Sequence, residues 1–143
     1  MSLHMIKLCV GVESIEDLQT HVSHRLEMQR LAGQTPEQFH VTRVMPKRAA
    51  EILAGGSLYW VIKGQVQVRQ PLLRFDAFTS EDGIERCRIV LAPEFVATRW
   101  QPRRAFQGWR YLTMDDAPPD RSTSDGEPLP AQLQRELAEL GLL

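Results

Sequence analysis

Between residues 43 and 110 the chain gathers residue types that hold anions. Arg43, Lys47 and Arg48 surround Pro46, while Arg99, Arg103, Arg104 and Arg110 interleave with Trp100, Phe106, Trp109 and Tyr111. Guanidinium groups bind phosphate and carboxylate oxygens bidentately, and exposed rings stack on unpaired bases. The segment holds 12 basic residues against 6 acidic ones in a chain of net charge −1, which predicts a positive face toward an anionic partner. The first expectation is an RNA- or nucleotide-binding module. Its phosphate contacts are Arg43, Lys47, Arg48, Arg103, Arg104 and Arg110, and its stacking rings are Trp100, Phe106 and Trp109. The competing reading places the rings in the core, with the arginines on the wet face of the same strand; Trp60, in the most apolar run, reads as core.

Lys47 and Arg48 also open a short predicted helix, whose free N–H groups and dipole favour an anion. A phosphate or sulfate is expected there, completed by Arg43 or by Arg103 and Arg104. An alternative function is an enzyme on a small phosphate- or carboxylate-bearing substrate, with the same arginines as clamp and His40 or Glu51 as base. A deep pocket lined by His40, Arg43 and Trp60 would mark that alternative, and an open basic groove would mark nucleic acid. A third reading is a protein-interaction adaptor, for which a large exposed apolar patch is the sign.

No nucleotide-binding glycine loop, nucleophile elbow or zincin helix occurs in the chain, so no catalytic residue, cofactor or metal is predicted. His21 and His24 stand three apart without further ligands nearby, and read as exposed helix histidines. The acidic pairs Glu16-Asp17, Glu81-Asp82 and Asp115-Asp116 fall at a cap, a turn and a linker, where local reasons explain them. Cys9 and Cys87 lie in strand-like runs and read as small core residues.

These groups need an α+β scaffold to position them. Residues 5–12 read as a strand. Ser14 with Asp17 makes a capping-box variant that opens a helix over residues 14–32, with Ile15, Leu18, Val22 and Leu26 at helical spacing and Gly33 beyond its end. Residues 39–44 read as a second strand, and residues 47–53 as a short helix stopped by Gly55-Gly56. From Ser57 the pattern turns to period two: a buried strand at 58–62, a turn at Gly64, an alternating strand at 65–70, and continuation beyond Pro71, which argues for an edge or a break. Glu81-Asp82-Gly83 joins this to a strand at 84–91 as a hairpin, and residues 109–112 close the sheet. The prediction is a mainly antiparallel curved sheet or small open barrel, with the first helix packed against it.

With 143 residues, 43% hydrophobic and 24% charged, the chain fits one soluble domain. It has no apolar run of membrane-spanning length and no secretory leader, which predicts a cytoplasmic protein. Met1–Leu3 precede a second methionine and are left out of this reading. Residues 1–112 are expected to form the domain and 113–128 a polar linker. A short amphipathic helix follows over 129–143, with Leu133, Leu137 and Leu140 able to dock on the domain or on a second copy. Residues 113–143 carry 7 acidic residues against Arg121 and Arg135, and read as a solvated acidic tail.

The phrases His40-Val41-Thr42-Arg43-Val44-Met45-Pro46-Lys47-Arg48, Gly55-Gly56-Ser57-Leu58-Tyr59-Trp60-Val61-Ile62-Lys63-Gly64 and Pro102-Arg103-Arg104-Ala105-Phe106-Gln107-Gly108-Trp109-Arg110-Tyr111-Leu112 resemble a bacterial domain-of-unknown-function family of about this length. The resemblance runs from Met5 to Pro119 and implies a bacterial, cytoplasmic protein without an established activity. A weaker resemblance, carried by the helix and glycines of residues 49–56, is to PUA-like domains of the ASCH branch. That likeness implies a small β-barrel that binds RNA or modified nucleotides. The charged pattern that follows the glycine in that family is replaced here by Gly56-Ser57-Leu58-Tyr59-Trp60, which favours binding over hydrolysis.

Overall fold

The computed structural model describes residues 3–121. These residues form an α+β domain: β1 (Leu3–Leu8), α1 (Ile15–Leu31), β2 (Gln38–Thr42), α2 (Ala49–Leu53), β3 (Ser57–Ile62), β4 (Gln65–Thr79), β5 (Glu85–Leu91), β6 (Val96–Pro102) and β7 (Trp109–Thr113). The strands make an open seven-stranded sheet in the order β2-β5-β4-β3-β1-β7, with β6 joined to β4. The expected α+β class and mainly antiparallel sheet are therefore found, as an open sheet that does not close into a barrel. It is mixed, because β1 and β3 run parallel while the other pairs are antiparallel.

Ser14 caps α1 as its sequence predicts: the Asp17 N–H donates to Ser14 Oγ at 3.0 Å, and Asp17 Oδ2 accepts from the Glu13 N–H. Satisfying these free N–H groups sets where the helix starts. Leu18 and Val22 bury its inner face. Gly55, at φ +99°, ends α2. A Cβ on Gly56 would lie 2.3 Å from the carbonyl oxygens of both Ile52 and Leu3, so only glycine lets α2 and β1 approach there.

The 15-residue β4 ties the sheet together. Its first half pairs with β3 and β6, and its second half with β5. Pro71 stands at this changeover, with its carbonyl accepting from Ala92 and the next N–H, that of Leu72, donating to Gly56. The proline that argued for an edge or a break is tolerated because the strand exchanges partners at that point.

Alternation along β1 and β3 sends side chains to two faces. Leu3, Met5, Leu58, Trp60 and Ile62 join Leu18, Val22 and Ile52 in the larger core, beneath α1. Ile6, Tyr59, Val61, Val66 and Leu112 form a smaller core on the opposite face. Both faces of β3 are buried, the condition its unbroken apolar run requires. Two expectations need correction. Residues 96–102 form a strand that the sequence reading left unassigned, because polar Thr98 occupies an inward position where the alternation calls for an apolar residue. Residues 113–121 do not behave as a linker: Pro118 is buried, and the Arg99 and Arg121 N–H groups bond to Pro119 and Ala97 carbonyls. Residues 122–128 and the expected helix over 129–143 lie outside the described residues.

Candidate anion pocket between the helix and the sheet

The residues expected to make one basic, aromatic surface are divided between the two faces of the sheet. Alternation in β7 turns Trp109 toward the helix-side core and Leu112 toward the opposite one. Half-buried Trp109 packs edge-on against Tyr111 at 4.9 Å. Phe106 packs on the opposite core, beneath the Arg110 guanidinium at 5.4 Å from the ring centroid. Trp100 is 5% exposed. It belongs to the core, a correction to its expected stacking role, because its place on β6 turns the ring inward.

Arg43, Lys47, Arg48 and Arg104 are exposed. Arg48 pairs with Glu51 and lies 5.7 Å above the Tyr111 ring, while its backbone N–H donates to the Tyr111 hydroxyl at 3.3 Å. The expected anion seat is thus partly filled by this chain's own tyrosine. The helix behind it, α2, has only five residues, too few to build a useful dipole. Glu51, held by Arg48 and exposed, is not placed as a base. Arg103 bonds to Gln101 Oε1 and to the Asp116 carbonyl.

A cavity of about 270 Å³ opens instead between α1, β1 and β2, lined by Lys7, Cys9, His21, Arg25, Gln38, His40 and Trp60 among others. Each lining group has a local cause. Lys7 shares the helix-side face of β1 and sits in register with Trp60. His21 and Arg25 are one turn apart on α1 and follow Leu18 and Val22 over the core. Arg25 Nη1 donates to the Phe39 carbonyl at 3.4 Å, linking α1 to β2. The His40 ring meets Trp60 edge-on at 4.7 Å.

Behind this cavity lies a closed polar network. Gln38 and Gln70 exchange amide hydrogen bonds of 3.0 and 2.6 Å, Gln70 Oε1 accepts from Trp60 Nε1 at 2.8 Å, and Gln70 Nε2 also donates to the Ala92 carbonyl. Every buried amide atom in this network has a partner, so it fixes the Trp60 ring and the start of β2 rigidly.

The electrostatics are those of a cationic pocket. Neither Lys7 nor Arg25 forms an ion pair among the described residues. Burial, reinforced by Arg25 and Lys7, pushes the His40 pKa down to about 4, so the imidazole is neutral at neutral pH. Burial pushes the Cys9 thiol up to about 12, which keeps it protonated and inert as a nucleophile. His21 keeps its own partner, Asp17, at 3.8 Å. Among the described residues no group of three or more histidines, cysteines and carboxylates is placed to hold a metal ion.

Residues 5–143 match the family model described as protein of unknown function (DUF1489). The chain belongs to that family. The near whole-chain resemblance read from the sequence is thereby borne out, whereas the PUA-like likeness is not. No curated protein and no solved structure matches the chain. Among the described residues no helix is long and apolar enough to cross a membrane. Of the groups named from the sequence, the DUF1489 domain brings His40 and Trp60 together at its cavity and leaves Arg43 outside the lining. Sequence reasoning missed Lys7 and Arg25. The available signals were a lone lysine in a mostly apolar strand, and an arginine one turn after His21.

Proposed function

We propose that this protein binds a small phosphate- or carboxylate-bearing molecule in the cavity between α1 and the sheet. The observation that carries the reading is the pair of cations, Lys7 and Arg25, lining a concave site without a carboxylate partner among the described residues. Unneutralised cations that share a cavity repel each other, and an anion relieves that repulsion. Cys9, Val12, Leu18 and Trp60 supply an apolar wall for the body of the ligand, as small-molecule sites generally require.

His40 gives the site a group able to move a proton. The incoming anion offsets Lys7 and Arg25, two of the causes of its lowered pKa, and so raises its basicity when the ligand is bound. This supports an enzyme on an anionic substrate, with His40 as the base, ahead of an RNA-binding surface. The RNA reading loses support because its rings are buried or divided between faces, and Arg48 and Arg103 are engaged with other groups of the chain.

The test is thermal stabilisation by a panel of small phosphates and carboxylates, compared with a mixed single-stranded RNA. Lys7→Met with Arg25→Met is expected to abolish the stabilisation, and Arg103→Ala with Arg104→Ala to leave it unchanged. Salt-sensitive RNA binding that depends on Arg103 and Arg104, with no response to any small anion, would overturn the proposal.

A further inference from the structure

A second cleft, of about 450 Å³, opens on the opposite face, lined by His4, Tyr59, Arg69, Met114, Pro118 and Asp120 among others. Its chemistry differs from that of the helix-side cavity. Arg69 donates from Nε and Nη2 to the two carboxylate oxygens of Asp120, both at 2.8 Å, and from Nη1 to Ser57 Oγ at 2.9 Å. Its charge is thus matched within the chain. The Ser57 N–H donates to His4 Nδ1 at 3.0 Å, which leaves the ring proton on Nε2. Burial, with Arg69 nearby, lowers the His4 pKa, so this N–H belongs to a neutral ring.

Two polar atoms in this cleft are left without partners among the described residues. His4 is 8% exposed and Tyr59 4%, their rings meet edge-on at 5.1 Å, and neither His4 Nε2 nor the Tyr59 hydroxyl has a hydrogen-bond partner among the described residues. Nor is either atom sealed from solvent, since Gln65 Oε1 alone is a fully buried side-chain polar atom without a partner among those residues. Two donors on side chains more than nine-tenths buried therefore face open space, where an acceptor would satisfy them.

We propose that this cleft is a binding site for a neutral, carbonyl-bearing small molecule. The carbonyl oxygen accepts from His4 Nε2–H and the Tyr59 hydroxyl, and the apolar body lies against Met114 and Pro118. A neutral ligand is favoured over an anion because Asp120 already neutralises Arg69. The site is independent of the helix-side cavity, which takes anions.

The probe is the lactam 2-pyrrolidinone, with cyclopentanecarboxylate as an anion of similar size, each titrated into the full chain while the ¹⁵N resonances of the His4 ring are followed. The lactam is expected to give a saturable shift at His4 Nε2, and the carboxylate none. Tyr59→Phe, which removes only the hydroxyl, is expected to weaken lactam binding about five- to tenfold without lowering thermal stability. Lys7→Met with Arg25→Met is expected to leave it unchanged, so failure here and failure of the anion pocket are distinguishable. The proposal is overturned by the absence of a saturable lactam shift, by equal binding of the carboxylate, or by undiminished binding in Tyr59→Phe.

Discussion

On one face of β1 and β3, Lys7 and Arg25 line a cavity with no carboxylate paired to either among the described residues; on the other, the Arg69 guanidinium is gripped by Asp120 through two hydrogen bonds. Both faces combine basic residues and a histidine with an aromatic ring from β3, Trp60 on one and Tyr59 on the other. The difference lies in what neutralises the charge. A cation matched inside the chain holds structure, here residues 113–121 against the sheet edge, whereas cations left unmatched in a concavity repel each other until an anion arrives. Charge satisfaction, rather than charge density, therefore separates a clamp from a candidate site in this molecule.

The largest effect is expected at the network that backs the helix-side cavity. Gln70→Leu strands the Trp60 N–H, the Gln38 amide and the Ala92 carbonyl, all currently bonded to Gln70. Buried orphans of this kind cost roughly 1–3 kcal/mol each, so a loss of about 3–5 kcal/mol in urea unfolding is expected after partial relaxation. A loss below about 1 kcal/mol would show that the network does not hold the cavity wall.

Acid is expected to weaken both faces in the same direction. His40 has a folded pKa of about 4 against an ordinary value of 6.5, and the His4 value is lowered too. Between those two pH values the unfolded chain takes up a proton that folded His40 refuses. Stability is therefore full above pH 6.5 and falls as pH drops toward 4, by at most about 3 kcal/mol for His40. Chemical denaturation across this range should be flatter for His40→Gln than for the native chain. Saturation with a bound anion should also flatten it, because the ligand raises the His40 pKa.

Removing charge gives opposite outcomes on the two faces. Arg69→Met breaks the partly buried clamp, orphans Asp120 and Ser57 Oγ, and should cost about 1–3 kcal/mol. Limited proteolysis should then cut within residues 113–121 faster than in the native chain. Lys7→Met and Arg25→Met should change stability by less than about 0.5 kcal/mol, or raise it, because each removes a cation that has no ion-pair partner among the described residues. If those variants prove as damaging as Arg69→Met, the distinction between matched and unmatched charge fails.

Much of the scaffold was legible because its causes are local. Ser14 and Asp17 specify a helix start, Gly55 and Gly56 a helix stop, Gly64 a turn, Glu81-Asp82-Gly83 a hairpin turn, and the unbroken apolar run at residues 58–62 a largely buried strand. β6 escaped notice because polar Thr98 stands at one of its buried positions, and Leu3, set aside with the first residues, proved to be the buried start of β1.

By itself, the sequence determined most of the element types, the α+β class, the family and the surplus of cations in the middle of the chain, since propensity, capping and hydrophobic period act over a few residues. Tertiary structure alone decided which cations are matched and which, Lys7 and Arg25 among them, have no ion-pair partner among the described residues. That choice depends on pairings such as Arg69 with Asp120, 51 positions apart, and on the parallel register that sets Lys7 beside Trp60. Whether Trp100 and Trp109 face water was settled in the same way, because strand alternation assigns a side chain to a face only once the neighbouring strand and the covering layer are in place.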